Sequence, residues 1–198
     1  DAIAAIGERN QEVAAVLLEP VQGESGVRPL DADYLQRLRA LCDRHGWLLM
    51  VDEIQTGMGR TGRPFAYQHY DFKPDVITVA KALGNGVPIG ACLARGKAAD
   101  VFKPGNHGST FGGNPLSCQA AMATIDLLED GLMDNATVQG DRLMTALGEL
   151  QRHYECIGDV RGKGLMIGVE FVKDRHTKEP ATRLRADIIR KAFEKGLL

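Results

Sequence analysis

The chain has 198 residues, a net charge of −2, 44% hydrophobic residues and 25% charged residues. That is ordinary globular composition with length for a sizeable core in one or two domains, and it carries no electrostatic footprint for nucleic acid. No run reaches the roughly 18 apolar residues of a membrane span. The opening residues lack the basic and apolar regions of a secretion signal. Cys42, Cys92, Cys118 and Cys156 lie far apart without metal-ligand spacing, as expected of free thiols in a cytoplasmic protein with no metal centre.

Residues 1–12 are expected to finish a helix, and Val13 to Leu18 reads as a strand ended by Glu19-Pro20, because the residue before proline is pushed out of the helical region. A loop from Val21 to Gly26 carries Glu24. Asp31 or Asp33 caps a helix whose apolar face is Tyr34, Leu35, Leu38, Leu41 and Cys42, with Gly46 as its stop. Leu48 to Val51 is the near-continuous apolar run of a buried parallel strand, and it ends in Asp52 and Glu53. The strand–helix–strand order predicts a right-handed crossover. Gly57 to Gly62 is a glycine-rich loop holding Arg60, and Phe65 to Tyr70 reads as a short helix. A second buried strand, Asp75 to Ala80, ends in Lys81. Ile89 to Ala94 follows after too few residues for a parallel crossover, so it is expected to be antiparallel.

His107 to Pro115 is a polar, glycine-rich loop before a helix from Leu116 to Leu128. From Gly131 the character changes. A helix near 135–153 leads to strands at Cys156–Val160 and Leu165–Val172, joined by a turn at Arg161-Gly162-Lys163-Gly164, and Arg183 to Glu194 is helical. The expected fold class is α/β. Residues 1–130 would form a mostly parallel sheet with one antiparallel strand, and 131–198 the start of a small α+β domain.

Open α/β sheets bind ligands beyond the carboxyl ends of their strands, and there an acid and a lysine can share one ligand. Lys81 is either a strand-end lysine reaching solvent or an amine able to form a Schiff base. Asp52 is either a strand-end acid or the anion that keeps a pyridinium nitrogen protonated, with Gln55 on the same turn. Ser109 and Thr110, just before a helix, are turn residues or a phosphate site. Glu24 is a loop acid or a substrate-facing carboxylate, and the five histidines show no ligand spacing. The LLMVDE stretch also matches a Walker-B pattern, but a phosphate loop of Gly-x-x-x-x-Gly-Lys-Ser/Thr form is not found.

Taken in order, Glu19 to Glu24, Asp52 to Gly57, Ala80 to Leu83 and His107 to Asn114 resemble the class III (ω-type) pyridoxal-phosphate aminotransferases of fold type I, along essentially the whole chain. The resemblance implies pyridoxal 5'-phosphate bound by Asp52, Glu53, Gln55, Lys81 and Thr110. Lys81 would carry it as a Schiff base and move the proton, Asp52 would pair with the ring nitrogen and Gln55 with the ring's phenolic oxygen. Thr110 would reach the phosphate of the neighbouring subunit in a homodimer with shared sites, with Ser109 facing substrate. Glu24 would be a gate carboxylate that holds or releases an arginine lying further along the family's chain. The substrates implied are N-acetylornithine and 2-oxoglutarate, in arginine biosynthesis, with ornithine, succinylornithine or 4-aminobutyrate as alternatives. The family chain is longer, with a first phosphate loop and a ring-stacking aromatic upstream of the matching region. A reading of a different class therefore stands beside this one: an inactive folding or association half.

Overall fold

Local sequence signals place the first helix. Asp31 Oδ1 accepts the Tyr34 N–H at 2.9 Å, and Gly46, at φ +71°, ends α1 (Ala32–His45). A left-handed residue closing a helix favours glycine because a Cβ is disfavoured there. The computed structural model describes residue 5 and residues 13–198, so the helix expected over 1–12 lies outside the described residues.

Four strands form the main sheet in the order β1-β4-β5-β6: β1 (Ala15–Leu18), β4 (Leu48–Asp52), β5 (Val76–Val79) and β6 (Ala91–Ala94). The first two pairings are parallel and β5–β6 is antiparallel, as the short connector requires. The segment expected as a plain loop contains a small hairpin, β2 (Val21–Gln22) against β3 (Arg28–Pro29). The apolar face of α1 (Leu35, Leu38, Leu41, Cys42) packs with Trp47, Leu49, Val51, Tyr70 and Phe72 into the largest core cluster. The outer strands are less covered: Leu17 is 62% and Leu93 43% exposed.

One carboxylate ties helix to sheet. Asp75, just before β5, accepts the Leu49 N–H at 2.8 Å and the Arg39 guanidinium of α1 at 2.7 Å. Arg39 also bonds Asp43, at 2.7 Å.

After β6, α2 (Pro115–Leu127) starts at Asn114, whose side chain accepts the Ser117 N–H. A π segment, Leu128–Leu132, follows, with non-helical backbone at Asp130 and Gly131, and then α3 (Met133–His153). The antiparallel pair β7 (Ile157–Lys163) and β8 (Met166–Phe171) precedes α4 (Thr182–Glu194). Arg161 to Lys163, expected in a turn, belong to β7, and the reversal falls on Gly164-Leu165. The cause is close packing. Gly164, at φ +54°, has no room for a Cβ against Thr61, and Gly140 of α3 has none against the Gly164 carbonyl. Leu165 N–H then donates to the Arg60 carbonyl at 3.0 Å, seating the reversal on the glycine-rich loop. Among the described residues no helix is long and apolar enough to cross a membrane, and no cluster suits a metal ion.

Burial would raise the Asp75 carboxyl, but the Leu49 N–H and the Arg39 guanidinium outweigh it and hold it below its ordinary value. Its stabilisation is therefore full above the unfolded-state value and is lost as pH falls through the lower folded value. Asp75→Asn should cost about 2 kcal/mol at neutral pH, the order of charge-assisted hydrogen bonds. In urea titrations the gap between the two proteins should close as the pH drops below 3.8.

Candidate active site

In the register of β4 and β5, Asp52 stands opposite Thr78, so Asp52 and Lys81 leave the sheet at the same carboxyl edge. Lys81 is not itself in the strand. β5 stops at Val79, Ala80 takes φ −160° and ψ −146°, and Lys81 opens a 3-10 turn (Lys81–Leu83) at φ +44°. Left-handed backbone is uncommon for a residue with a side chain. Met58 at φ +54° and Asn85 at φ +44° share this conformation, and strain of this kind gathers at functional sites.

A cavity of about 580 Å³ opens beside this turn, and Glu24, Gln55, Arg60, Lys81 and Asn85 line it. Gln55 Nε2 donates to Glu24 Oε1 at 3.0 Å. Gly23 makes that approach possible, since a Cβ there would collide with the Gln55 amide. Its own N–H donates to Glu19 Oε2 at 3.0 Å, which ties the start of the loop to the end of β1. Three of the motifs read from the sequence thus converge, from segments far apart in the chain.

Asp52 is half-buried and lies just behind Ile54, which lines the cavity; it is not itself part of the lining. Its Oδ1 accepts the Ile54 N–H at 2.8 Å, and among the described residues Oδ2 takes no hydrogen bond.

Glu53, placed by resemblance among the cofactor-binding residues, is fully buried and is not in the cavity lining. Its oxygens accept the Ala66 N–H at 2.9 Å, the Tyr67 N–H at 2.8 Å and the Thr56 hydroxyl. Burial holds its carboxyl above the ordinary value, and these three donors offset that only in part. Glu53 is a structural brace.

Ser109 and Thr110 do not join the cavity. They sit in an exposed loop, where Ser109 Oγ accepts the Gly112 N–H at 3.0 Å. Arg60 and Asn85, in contrast, line the cavity without having been singled out. An arginine inside a glycine-rich loop and an Asn-Gly turn were the available signals. His69 is half-buried against Thr61, with its imidazole held low first by burial and then by Lys163, which agrees with a packing role.

An α/β protein with an amine-centred cavity at the carboxyl edge of a mixed sheet is what fold and site define. The family model "Aminotransferase class-III" matches residues 2–198, and the chain belongs to that family. It is 54% identical over 172 residues to an acetylornithine aminotransferase of Nitrosomonas europaea, covering 86% of this chain and 44% of that one. A solved Bacillus anthracis aminotransferase superposes with a TM-score of 0.92 at 34% identity, over 98% of this chain and 46% of that one. An amine transaminase from an uncultivated Pseudomonas species, solved in its PLP-bound form, gives a TM-score of 0.84 at 39% identity, over 90% and 43% of the two chains. The chain thus spans about half the length of the relatives it matches.

Replacing Glu53 tests its bracing role. Glu53→Ala leaves a buried and a half-buried N–H and a buried hydroxyl without their acceptor, and should cost about 3 kcal/mol or more at roughly 1–3 kcal/mol per orphaned group. Thr56→Val, which removes one donor and leaves the other two paired, should cost much less. Thermal unfolding of both variants checks the ranking.

Proposed function

We propose that the complete protein is a pyridoxal-phosphate-dependent aminotransferase that moves the terminal amino group of N-acetylornithine to 2-oxoglutarate. The observation that carries this reading is Lys81. Its strained turn places an amine in one cavity with Gln55 and Glu24, at the strand edge where Asp52 ends, in a chain of this family. The choice of N-acetylornithine rests on likeness to the Nitrosomonas europaea enzyme.

The residues present fit the cofactor. A cavity of about 580 Å³ next to a primary amine suits a phosphorylated pyridine aldehyde, and Asp52, outside the lining but at the same strand edge and with Oδ2 unbonded among the described residues, would be the partner of its protonated ring nitrogen. When bound, that group supplies an electron sink for the carbon losing its proton. Lys81 would hold it through its amine, and as a free amine would take and return the substrate proton as general base. Asp52 would keep the ring nitrogen protonated. Gln55 spends one amide N–H on Glu24 and has a second for the ring hydroxyl. Glu24 faces the substrate.

Ser109 and Thr110, on their exposed loop, would serve the site of a neighbouring subunit in a cytoplasmic homodimer. The kink at Asp130 and Gly131 supports a division into a cofactor domain over 1–130 and the start of a small domain over 131–198.

Borohydride reduction of the loaded full-length enzyme should fix the cofactor on Lys81, read by peptide mass. An adduct on another lysine, or none, would sink the assignment. A panel of amino donors with 2-oxoglutarate checks the substrate, and N-acetylornithine should give the highest kcat/KM. A higher value for 4-aminobutyrate would overturn the substrate while leaving the reaction class standing.

A second reading has its own observation. Leu17, Leu93 and Leu116 are exposed at 62%, 43% and 75%, as in a unit that needs further chain to cover it. On that reading the 198 residues alone are an association half. Titrating them with pyridoxal phosphate separates the two, since micromolar binding with turnover rejects the inert half.

A further inference from the structure

The Glu24 loop is held from outside its own hairpin. β2 and β3 pair through only two residues each, and between them Gly26 and Val27 both take positive φ, +93° and +53°. Valine in left-handed backbone is strained, and it persists only where neighbours enforce it.

The enforcing group is Arg161 of β7, 134 residues along the chain from Val27. Its Nε donates to the Gly26 and Val27 carbonyls at 3.1 and 3.0 Å, and its Nη2 to Gly26 again at 2.6 Å. Nη1 turns the other way, to Asp159 at 2.8 Å and Glu170 at 2.6 Å. The side chain is only 15% exposed. Glu170 also meets Arg28, on the far side of the loop, at 3.5 Å. Beneath the contact, a Cβ on Gly168 of β8 would lie 2.9 Å from the Gly26 oxygen, so the β7–β8 pair touches the loop backbone directly. At its other end the loop presents Glu24 to Gln55 in the cavity.

We propose that Arg161 is a positioning residue: it locks the 23–27 loop to the β7–β8 pair, so that the placement of this C-terminal hairpin sets where Glu24 stands in the substrate cavity. The planar guanidinium is what the job needs. It spans two carbonyls on one edge and two carboxylates on another, and an ammonium has no such fork. Hairpin and gate then move as one body, and a shift of β7–β8 reaches the cavity through main-chain atoms. The inference rests on the proposed reading of Glu24 as substrate-facing.

The test uses the full-length, cofactor-loaded enzyme with Arg161→Lys, which keeps the charge beside Asp159 and Glu170. Hydrogen exchange of the peptide covering residues 22–28 should speed up, while that of the α1 core stays as in wild type. KM for N-acetylornithine should rise about tenfold, the size of one lost charge-assisted hydrogen bond. With kcat held within about twofold, that pattern marks lost ground-state binding rather than lost chemistry. On a Glu24→Gln background, Arg161→Lys should raise KM no further, because both changes act through one carboxylate.

Gly168→Ala, which pushes the Gly26 carbonyl while sparing Arg161, should act in the same direction and serves if Arg161→Lys fails to fold. Unchanged exchange of the loop, or KM effects that multiply in the double variant, would overturn the proposal. A loosened loop with KM unaltered by Glu24→Gln alone also overturns it. That pattern is distinct, because the fault then lies in the reading of Glu24 while the clamp itself holds.

Discussion

The carboxyl edge of the sheet depends on one buried carboxylate. Glu53 sits fully inside the protein and accepts from the Ala66 and Tyr67 amides and the Thr56 hydroxyl. Its own N–H goes to the Thr78 carbonyl on β5 and its carbonyl receives the Gly57 N–H, each at 2.9 Å. A buried carboxyl is costly unless its lone pairs are filled, and here three donors fill them. The turn from 53 to 57 is thereby pinned to the neighbouring strand and to the 3-10 segment Ala66–His69 at once. Asp52 on one side and Gln55 on the other inherit their positions from that pin.

Strain is placed where the cavity is. Lys81 and Asn85 hold left-handed backbone in its lining, and Gly84, between them, lies against the Val87 carbonyl where no Cβ would fit. The packing next to these turns comes from the cluster of Ile77, Val79, Leu83 and Ala121, against which Met58 and Ile89 lie. The C-terminal hairpin reaches the same region twice, through Leu165 on the Arg60 carbonyl and through Arg161 on the Glu24 loop.

The elements that could be read from the sequence were those whose signal is local and repeated. Apolar runs mark β4 and β5, the spacing of Leu35, Leu38 and Leu41 marks α1, and the brevity of the segment before Ile89 makes β6 antiparallel. The β2–β3 hairpin was not legible, since two residues per strand are too few for a period to show. Nor was the extent of β7, whose Arg-Gly-Lys-Gly run is rich in turn residues yet pairs with β8 as far as Lys163. Tertiary packing against Thr61 and Gly140 overrode that local preference.

The Asp52-Glu53 pair shows where the division lies. Sequence alone determined that two carboxylates close a buried strand and that a lysine follows the next, and this determines the kind of chemistry available at that edge. It could not say which carboxylate turns inward. Adjacent residues leave a strand on opposite faces, and which face meets the 66–67 amides depends on a loop that returns 13 residues later. The same holds for Glu24, Gln55 and Arg161. Their residue types are local facts, whereas their meeting was decided by how β2–β3 and β7–β8 pack, because contacts between residues distant in the chain leave no periodic mark in either segment.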